Sequence, residues 1–329
     1  MTPAVIAAIG LNRAAIGLNR RPLDTRQLPS DRLLAPDRAL AGSRKHRAAH
    51  PKSRTQVASS GLRSMPKCDT VSGAWKESTG KSQLKRRQLI MNAKQVVRRF
   101  LRRMGYDIVR YAPTSHPLAR RKRLLEISGI NIVLDVGANV GQYAKQLRDI
   151  GYKGEIISFE PLSSAYKELL ANANADGHWK AMNYALGITN GKTEINISAL
   201  SCSSSILEML PSHMKSAPES KYVGKEQIEV RTLDSVFENI CSREQNILLK
   251  IDTQGFERHV IEGAENSLRF IDAIQLEMSL IPLYKGGPLF DEMYKLLCRE
   301  GYCIVSIEPG FSDKESGQLL QVDGIFHRL

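Results

Sequence analysis

From Leu124 to the C-terminus the chain alternates short apolar runs with amphipathic segments, and this alternation limits the possible folds more than any other feature. Residues 130–134, 155–159, 178–186, 193–198, 228–231, 246–251 and 273–276 read as strands. Helices are expected from the glycine turn at 137–141 to about residue 150, and over 163–174, 233–240, 256–270 and 288–299. Strands separated by helices are joined by crossovers, which build parallel sheets covered on both faces. The last two runs, 302–307 and 319–327, are joined by a loop carrying Pro309, Gly310 and Ser312 with no helix between them. They point to an antiparallel pair at the sheet edge. The expectation is an α/β domain over residues 124–329, doubly wound and mostly parallel, with a C-terminal antiparallel hairpin.

The start of the chain follows another pattern. Residues 1–90 hold 18 Lys/Arg against 5 Asp/Glu, and the remainder holds 29 of each, so the net charge of +13 belongs to the first 90 residues. A protein that coats nucleic acid through a basic surface is therefore excluded. Residues 7–13 (AAIGLNR) recur verbatim as 14–20, and the stretch that follows is rich in Arg, Pro, Ser and Gly without a sustained period. Such a segment buries too little apolar surface to offset its ordering entropy. It reads as a disordered basic extension, with Met91 as the expected working start. Residues 91–123 read as a basic helical cap: Val96, Phe100, Met104 and Ile108 recur every four residues, and ten basic residues stand against Asp107 alone. The stripe suits a helix packed on the domain with a solvated basic face, or an amphipathic anchor on an acidic membrane. The five cysteines form no C-x-x-C pair, and no apolar run approaches the roughly 20 residues of a membrane span. A soluble cytoplasmic protein is expected, with 91–123 as a candidate contact to the inner membrane face.

Four of the expected strands end at an acid: Asp135, Glu160, Asp252 and Glu277. In open α/β sheets ligands bind beyond these carboxyl ends. The segment Asp135-Val136-Gly137-Ala138-Asn139-Val140-Gly141 carries a strand into a glycine turn and then a helix. A dinucleotide fingerprint would need glycine at positions 139 and 142, where Asn139 and Gln142 stand, and no Gly-Lys-Ser/Thr of a P-loop follows. An acid before the turn suits a cationic amino-acid end, and Glu160 on the next strand suits the two hydroxyls of a ribose. Together they describe S-adenosylmethionine better than NAD.

These segments, with Phe159-Glu160-Pro161, Leu249 to Glu257 (LKIDTQGFE) and Ile261-Glu262-Gly263-Ala264, resemble the FkbM-type class I methyltransferases over roughly residues 125–329. The resemblance implies a seven-stranded, Rossmann-like methyltransferase sheet, S-adenosylmethionine as cofactor, and an O-methyltransferase acting on a hydroxyl of a sugar, glycolipid or polyketide-type molecule. It also implies that Asp135, Gly137, Asn139 and Gly141 line the methionine end of the cofactor, that Glu160 holds the ribose, and that Asn183 lies near the adenine. Many members carry Glu where this chain has Gln254, so no acid role carries over to that position.

A sugar hydroxyl is a weak nucleophile at neutral pH and needs a positioned base or a metal. Asp252 is the first candidate for the base, followed by Glu277, Glu257 and His259. Asp252 and Glu277 could instead share a divalent cation such as magnesium, since hard cations prefer carboxylates. The serine-rich loop 201–205 is placed where a lid or a linker could hang. Two other functions compete. One is a nucleic-acid methyltransferase, against which residues 124–329 set 19 basic and 28 acidic residues. The other is a cofactor-binding protein without catalysis.

Overall fold

The computed structural model describes Gln88, Met91 and residues 94–328. The readings made for residues 1–87, the disordered extension and the heptapeptide repeat among them, lie outside these residues. Residues 94–103 form helix α1. Val109–Leu329 forms a compact unit of its own. It begins ahead of position 124 and takes in α2 (Pro117–Ile127), whose Pro117 opens the helix where the absent N–H costs nothing.

Seven strands form the main sheet: β1 (Ile132–Val136), β2 (Glu155–Phe159), β3 (Trp179–Met182), β7 (Ile247–Ile251), β8 (Ala273–Ser279), β9 (Tyr302–Pro309) and β10 (Gln321–Arg328). Their order is β3-β2-β1-β7-β8-β10-β9. The first five neighbours run parallel, and β10 is antiparallel to both β8 and β9. This is the doubly wound, mostly parallel seven-stranded sheet that the sequence leads one to expect, and its antiparallel edge is the hairpin expected from 302–327.

The crossovers are α3 (Gln142–Asp149), α4 (Ser163–Asn174), α6 (Leu233–Ile240), α7 (Glu257–Glu262) and α8 (Phe290–Arg299). Helix α6 starts at Thr232, whose hydroxyl accepts the Ser235 amide at 3.1 Å, the usual means of satisfying a free first-turn N–H. The sheet separates two cores. Ile132, Leu134 and Val136 of β1 pack with α6, α7 and α8 residues such as Phe237, Val260 and Met293. Val133 faces the other way, onto Leu125 of α2, Leu147 of α3 and Leu169 of α4.

A second sheet, β4 (Ala185–Leu186), β6 (Tyr222–Arg231) and β5 (Gly191–Ser198) in that order, and a short helix α5 (Pro211–Ser216) go beyond the sequence expectation. In β6 only Ile228 and Val230 are buried, so the strand's first half shows no apolar alternation that would reveal it. The expected single strand 178–186 is split between the two sheets.

Two strand ends differ from the expected ones, and the difference decides where the acids go. β1 ends at Val136 and β8 at Ser279, each beyond its acid, so Asp135 and Glu277 lie inside strands. β2 ends at Phe159 and β7 at Ile251. Glu160 and Asp252 are therefore the first residues past the strand tips.

Candidate active site

A cavity of roughly 320 Å³ opens beyond the carboxyl ends of β1, β2 and β7. Its size falls at the lower end of the ~300–1,000 Å³ usual for small-molecule sites. Gly137, Asn139, Glu160 and Asp252 line it; Asp135, Gly141, Asn183, Glu257 and Glu277 do not. Each difference from the expected site has a local cause.

The turn after β1 is a close approach of protein to protein. Gly137 has φ 75°, and a Cβ there would stand 1.9 Å from the Asp252 carbonyl oxygen. Gly141, at φ 88°, would drive a Cβ to 2.4 Å from the Trp179 ring. Gly141 thus packs closely on β3 and, unlike Gly137, does not itself line the cavity. Between them Asn139 takes the left-handed conformation at φ 48°, which Asn tolerates better than most residues. Its amide N–H donates to Glu160 Oε2 at 2.8 Å, and its Oδ1 accepts the Val140 amide at 2.8 Å.

Glu160 ties the turns after β1 and β2 together, since its Oε1 accepts the Leu162 amide at 2.9 Å. Burial pushes its carboxyl up to about 7, although the amides of Leu162 and Asn139 pull the other way. Each oxygen keeps a lone pair for a ligand hydroxyl. Asn183 is exposed and donates to the carbonyls of Glu160 and Pro161 at 3.0 and 3.1 Å. It buttresses the strand tip, while its neighbours Ala185 and Leu186 join Leu162 and Ile195 on the apolar wall of the cavity.

Asp135 is fully buried on the α2–α3 side of the sheet. It accepts the Ser158 hydroxyl at 3.2 Å and faces Lys250 Nζ at 3.3 Å. Lys250, which does line the cavity, also reaches Asp252 Oδ2 at 3.4 Å. Burial acts to lower its pKa, but the charges of Asp252 and Asp135 outweigh this and hold it protonated. A buried ammonium between two carboxylates is the main feature that sequence reasoning missed. Its signal was a lysine inside the otherwise apolar β7, Ile-Leu-Leu-Lys-Ile. Tyr143 and Arg121 of α3 and α2 reach the same wall, and nothing in their helical patterns sets them apart beforehand.

The turn after β7 organises the remaining acids. Gln254, left-handed at φ 55°, aims its amide between two carboxylates. Its Nε2 donates to Asp252 Oδ1 at 2.8 Å and Glu277 Oε2 at 2.9 Å, and its Oε1 accepts the Tyr284 hydroxyl at 2.7 Å. The side-chain NH₂ thus bridges the pair that the sequence suggested as joint ligands of a cation. Among the described residues no group of three or more His, Cys, Asp or Glu is arranged to hold a metal ion. Glu277 lies behind Gln254 and also accepts Gln321 Nε2 at 2.7 Å. Burial, then the charges of Asp252 and Asp323, push its carboxyl well up. Glu257 turns inward: its Oε1 accepts the amides of Thr253 and Gly255 at 3.1 and 3.0 Å. It is the staple of this turn rather than a group facing the cavity. His259 stacks flat on Phe256, with ring centroids 4.0 Å apart.

The loop 201–205 spans the two turns. Ser201 Oγ accepts Asn139 Nδ2 at 3.0 Å, and Ser205 Oγ donates to the Gln254 carbonyl at 2.7 Å. It is latched at both ends, which neither a free lid nor a slack linker would be. The site as a whole offers a carboxylate at a strand tip, a glycine turn, an apolar wall and a partly exposed Asp252 beside a buried cation. It can hold a nucleoside with an amino-acid end and take a proton from a neighbouring hydroxyl.

The profile of the methyltransferase FkbM domain matches residues 135–304, just over half of the chain. No curated protein sequence matches. Among solved structures the chain is similar to the methyltransferase FkbM from Methylobacillus flagellatus KT, at 15% identity over 59% of this chain and 43% of that one, with a TM-score of 0.35. The chain thus spans less than half the length of that protein. A putative RNA methyltransferase from Pyrococcus horikoshii is 13% identical over 64% of this chain and 84% of that one, with a TM-score of 0.36. The magnesium protoporphyrin IX methyltransferase of Synechocystis PCC 6803, solved with bound SAM, is 11% identical over 64% and 78%, with a TM-score of 0.35.

Proposed function

The chain belongs to the FkbM methyltransferase family, and on that premise we propose that it methylates a hydroxyl of a sugar, glycolipid or polyketide-type acceptor with S-adenosylmethionine as donor. The observation that carries the reading is Asp252: of the acids considered as base, it alone stands on the cavity wall, past the tip of β7 and 3.4 Å from the Lys250 ammonium.

The residues present fit the cofactor. Glu160 would take the ribose hydroxyls on its remaining lone pairs, and Leu162, Ala185, Leu186 and Ile195 would flank the adenine. Gly137 and Ala138, which line the cavity, would meet the amino-acid end. When bound, the sulfonium supplies an electrophilic methyl group.

The chain's own work is alignment and proton handling. Methyl transfer to oxygen needs the acceptor held in line with the methyl, and positioning of this kind supplies much of the rate. Asp252 would take the hydroxyl proton onto its carboxylate as the oxygen attacks. Its direction is fixed from two sides, by Gln254 Nε2 on Oδ1 and Lys250 Nζ on Oδ2. Glu277, bonded to Gln254 on the far side, would act through that amide as a positioning residue.

The test is transfer of labelled methyl from S-adenosylmethionine to a panel of hydroxylated glycolipids, sugars and polyketides. The reading expects label in one of these classes and its loss in Asp252→Asn. Label in nucleic acid, or in no hydroxylated acceptor while the cofactor still binds, would overturn it.

A further inference from the structure

Helix α1 carries a pattern that the methyl-transfer chemistry does not use. Its sequence, Lys-Gln-Val-Val-Arg-Arg-Phe-Leu-Arg-Arg, divides sharply around the axis. At about 100° per residue, Val96, Val97, Phe100, Leu101 and the succeeding Met104 fall within one arc of about 140°. Lys94, Gln95, Arg98, Arg99, Arg102 and Arg103 fill the rest. The apolar arc stands in solvent: Val96 is 66% exposed, Phe100 62% and Met104 57%, and Tyr106 and Ile108 just beyond are also exposed. Exposed apolar patches of this kind mark interaction sites.

We propose that α1 is an interfacial anchor, lying with its apolar arc in the surface of an anionic lipid bilayer. Charge complementarity selects this occupant. Between residues 91 and 111 the sole acid is Asp107, and it is engaged by Arg98 at 3.2 Å and Arg102 at 2.8 Å. Arg99 and Arg103 flank the apolar arc beside Val96 and are not engaged by Asp107. A second copy of α1 would bring its five cations against five more, and the arc is wider than the narrow seam of a coiled coil. An anionic bilayer matches both halves: hydrocarbon for Val, Phe and Met, and headgroup phosphates for the arginines that snorkel beside them. Among the described residues no helix is long and apolar enough to cross a membrane. An amphipathic helix of this kind lies in the plane of the bilayer surface. This anchor stands independently of which acceptor is methylated.

The experiment is vesicle co-sedimentation of the full chain at low and high salt. One set of vesicles is phosphatidylcholine alone, and the other is an equal mixture with phosphatidylglycerol. The wild type should sediment with the mixed vesicles, weakly with the neutral ones, and be released by salt. Val96→Asp/Phe100→Asp should abolish sedimentation even though every basic residue remains, which separates insertion by α1 from attraction of the basic residues 1–90. Arg99→Gln/Arg103→Gln should weaken it by about 25-fold, at about fivefold per cation. Because these side chains are exposed, both variants should keep the wild-type circular dichroism and affinity for S-adenosylhomocysteine. Three results would overturn the proposal: no sedimentation of the wild type, undiminished sedimentation of Val96→Asp/Phe100→Asp, or a wild-type dimer that this variant converts to monomer without any vesicle binding.

Discussion

Replacing Gln254 with Glu changes one atom type at the junction of the two turns and the sheet edge. The amide nitrogen donates to Asp252 at 2.8 Å and to Glu277 at 2.9 Å. A carboxylate oxygen in its place can donate to neither, and it brings a further negative charge against Asp252 and Glu277. Hydrogen bonds to charged groups contribute about 1.5–3 kcal/mol each. Asp252 is about a third exposed, which discounts its share, so the loss should come to ~3–5 kcal/mol with the repulsion included. For a domain of this size that lowers the thermal midpoint by ~6–20 °C. The assay is differential scanning calorimetry of wild type and Gln254→Glu at pH 8 and pH 5, each with chelator or with magnesium. The variant should be destabilised most at pH 8 with chelator. Protonation should recover stability at pH 5, and magnesium should recover it at pH 8, because three carboxylates at this point form the cation site that the amide now bridges. Gln254→Leu should lose stability without responding to magnesium. A Gln254→Glu protein that melts with the wild type at pH 8 in chelator would refute the view that the amide holds the two acids together.

Other outcomes follow from the same geometry. Asp252→Asn should lower methyl transfer by about 10²- to 10⁴-fold, the usual contribution of a positioned base, while calorimetric affinity for S-adenosylhomocysteine is kept; unchanged turnover would remove Asp252 as the base. Gly141→Ala places a Cβ at 2.4 Å from Trp179 in a left-handed conformation and should cost ~2–5 kcal/mol in denaturant unfolding, from backbone strain and overpacking together. Burial holds Glu160 and Glu257 up to about 7, and burial with the Asp252 charge holds Asp323 up to about 6. Ordinary carboxyls titrate near roughly 4. The folded chain therefore keeps protons that the unfolded chain releases, and stability present at acid pH is lost as the pH rises through 6 to 7. The ligand-free midpoint should be lower at pH 8 than at pH 5, and a midpoint that rises over this interval would contradict the burial of these acids.

Much of the architecture was legible because a parallel sheet declares itself through buried runs and intervening amphipathic helices. The segments 163–174 and 233–240 form α4 and α6 with the bounds expected of them. The site was legible only where a motif residue stands past a strand tip. Glu160 and Asp252 do, and they reach the cavity. The sequence pattern puts Asp135 and Glu277 at strand tips, but their strands continue by one and two residues, and a side chain inside a strand answers to the pleat rather than to the loop edge. Val136 follows Asp135 as an apolar residue, so the sequence could have extended β1 past the acid. Glu257 could not have been read as a staple, because its bonds are to backbone amides of a turn whose left-handed Gln254 and Gly255 are invisible to hydrophobic periodicity. Lys250 was visible as a charge in an apolar strand, but the partners that keep it there, Asp135 and Asp252, come together only when β1 and β7 pair.

The most direct measurement is a calorimetric titration of the wild-type chain with S-adenosylhomocysteine, with NAD titrated in parallel. Binding of one nucleoside per chain, weakened when Glu160 is changed to Ala and absent for NAD, is the result that the cavity beyond β1 and β2 predicts. No heat with S-adenosylhomocysteine, or saturable binding of NAD in its place, would contradict it.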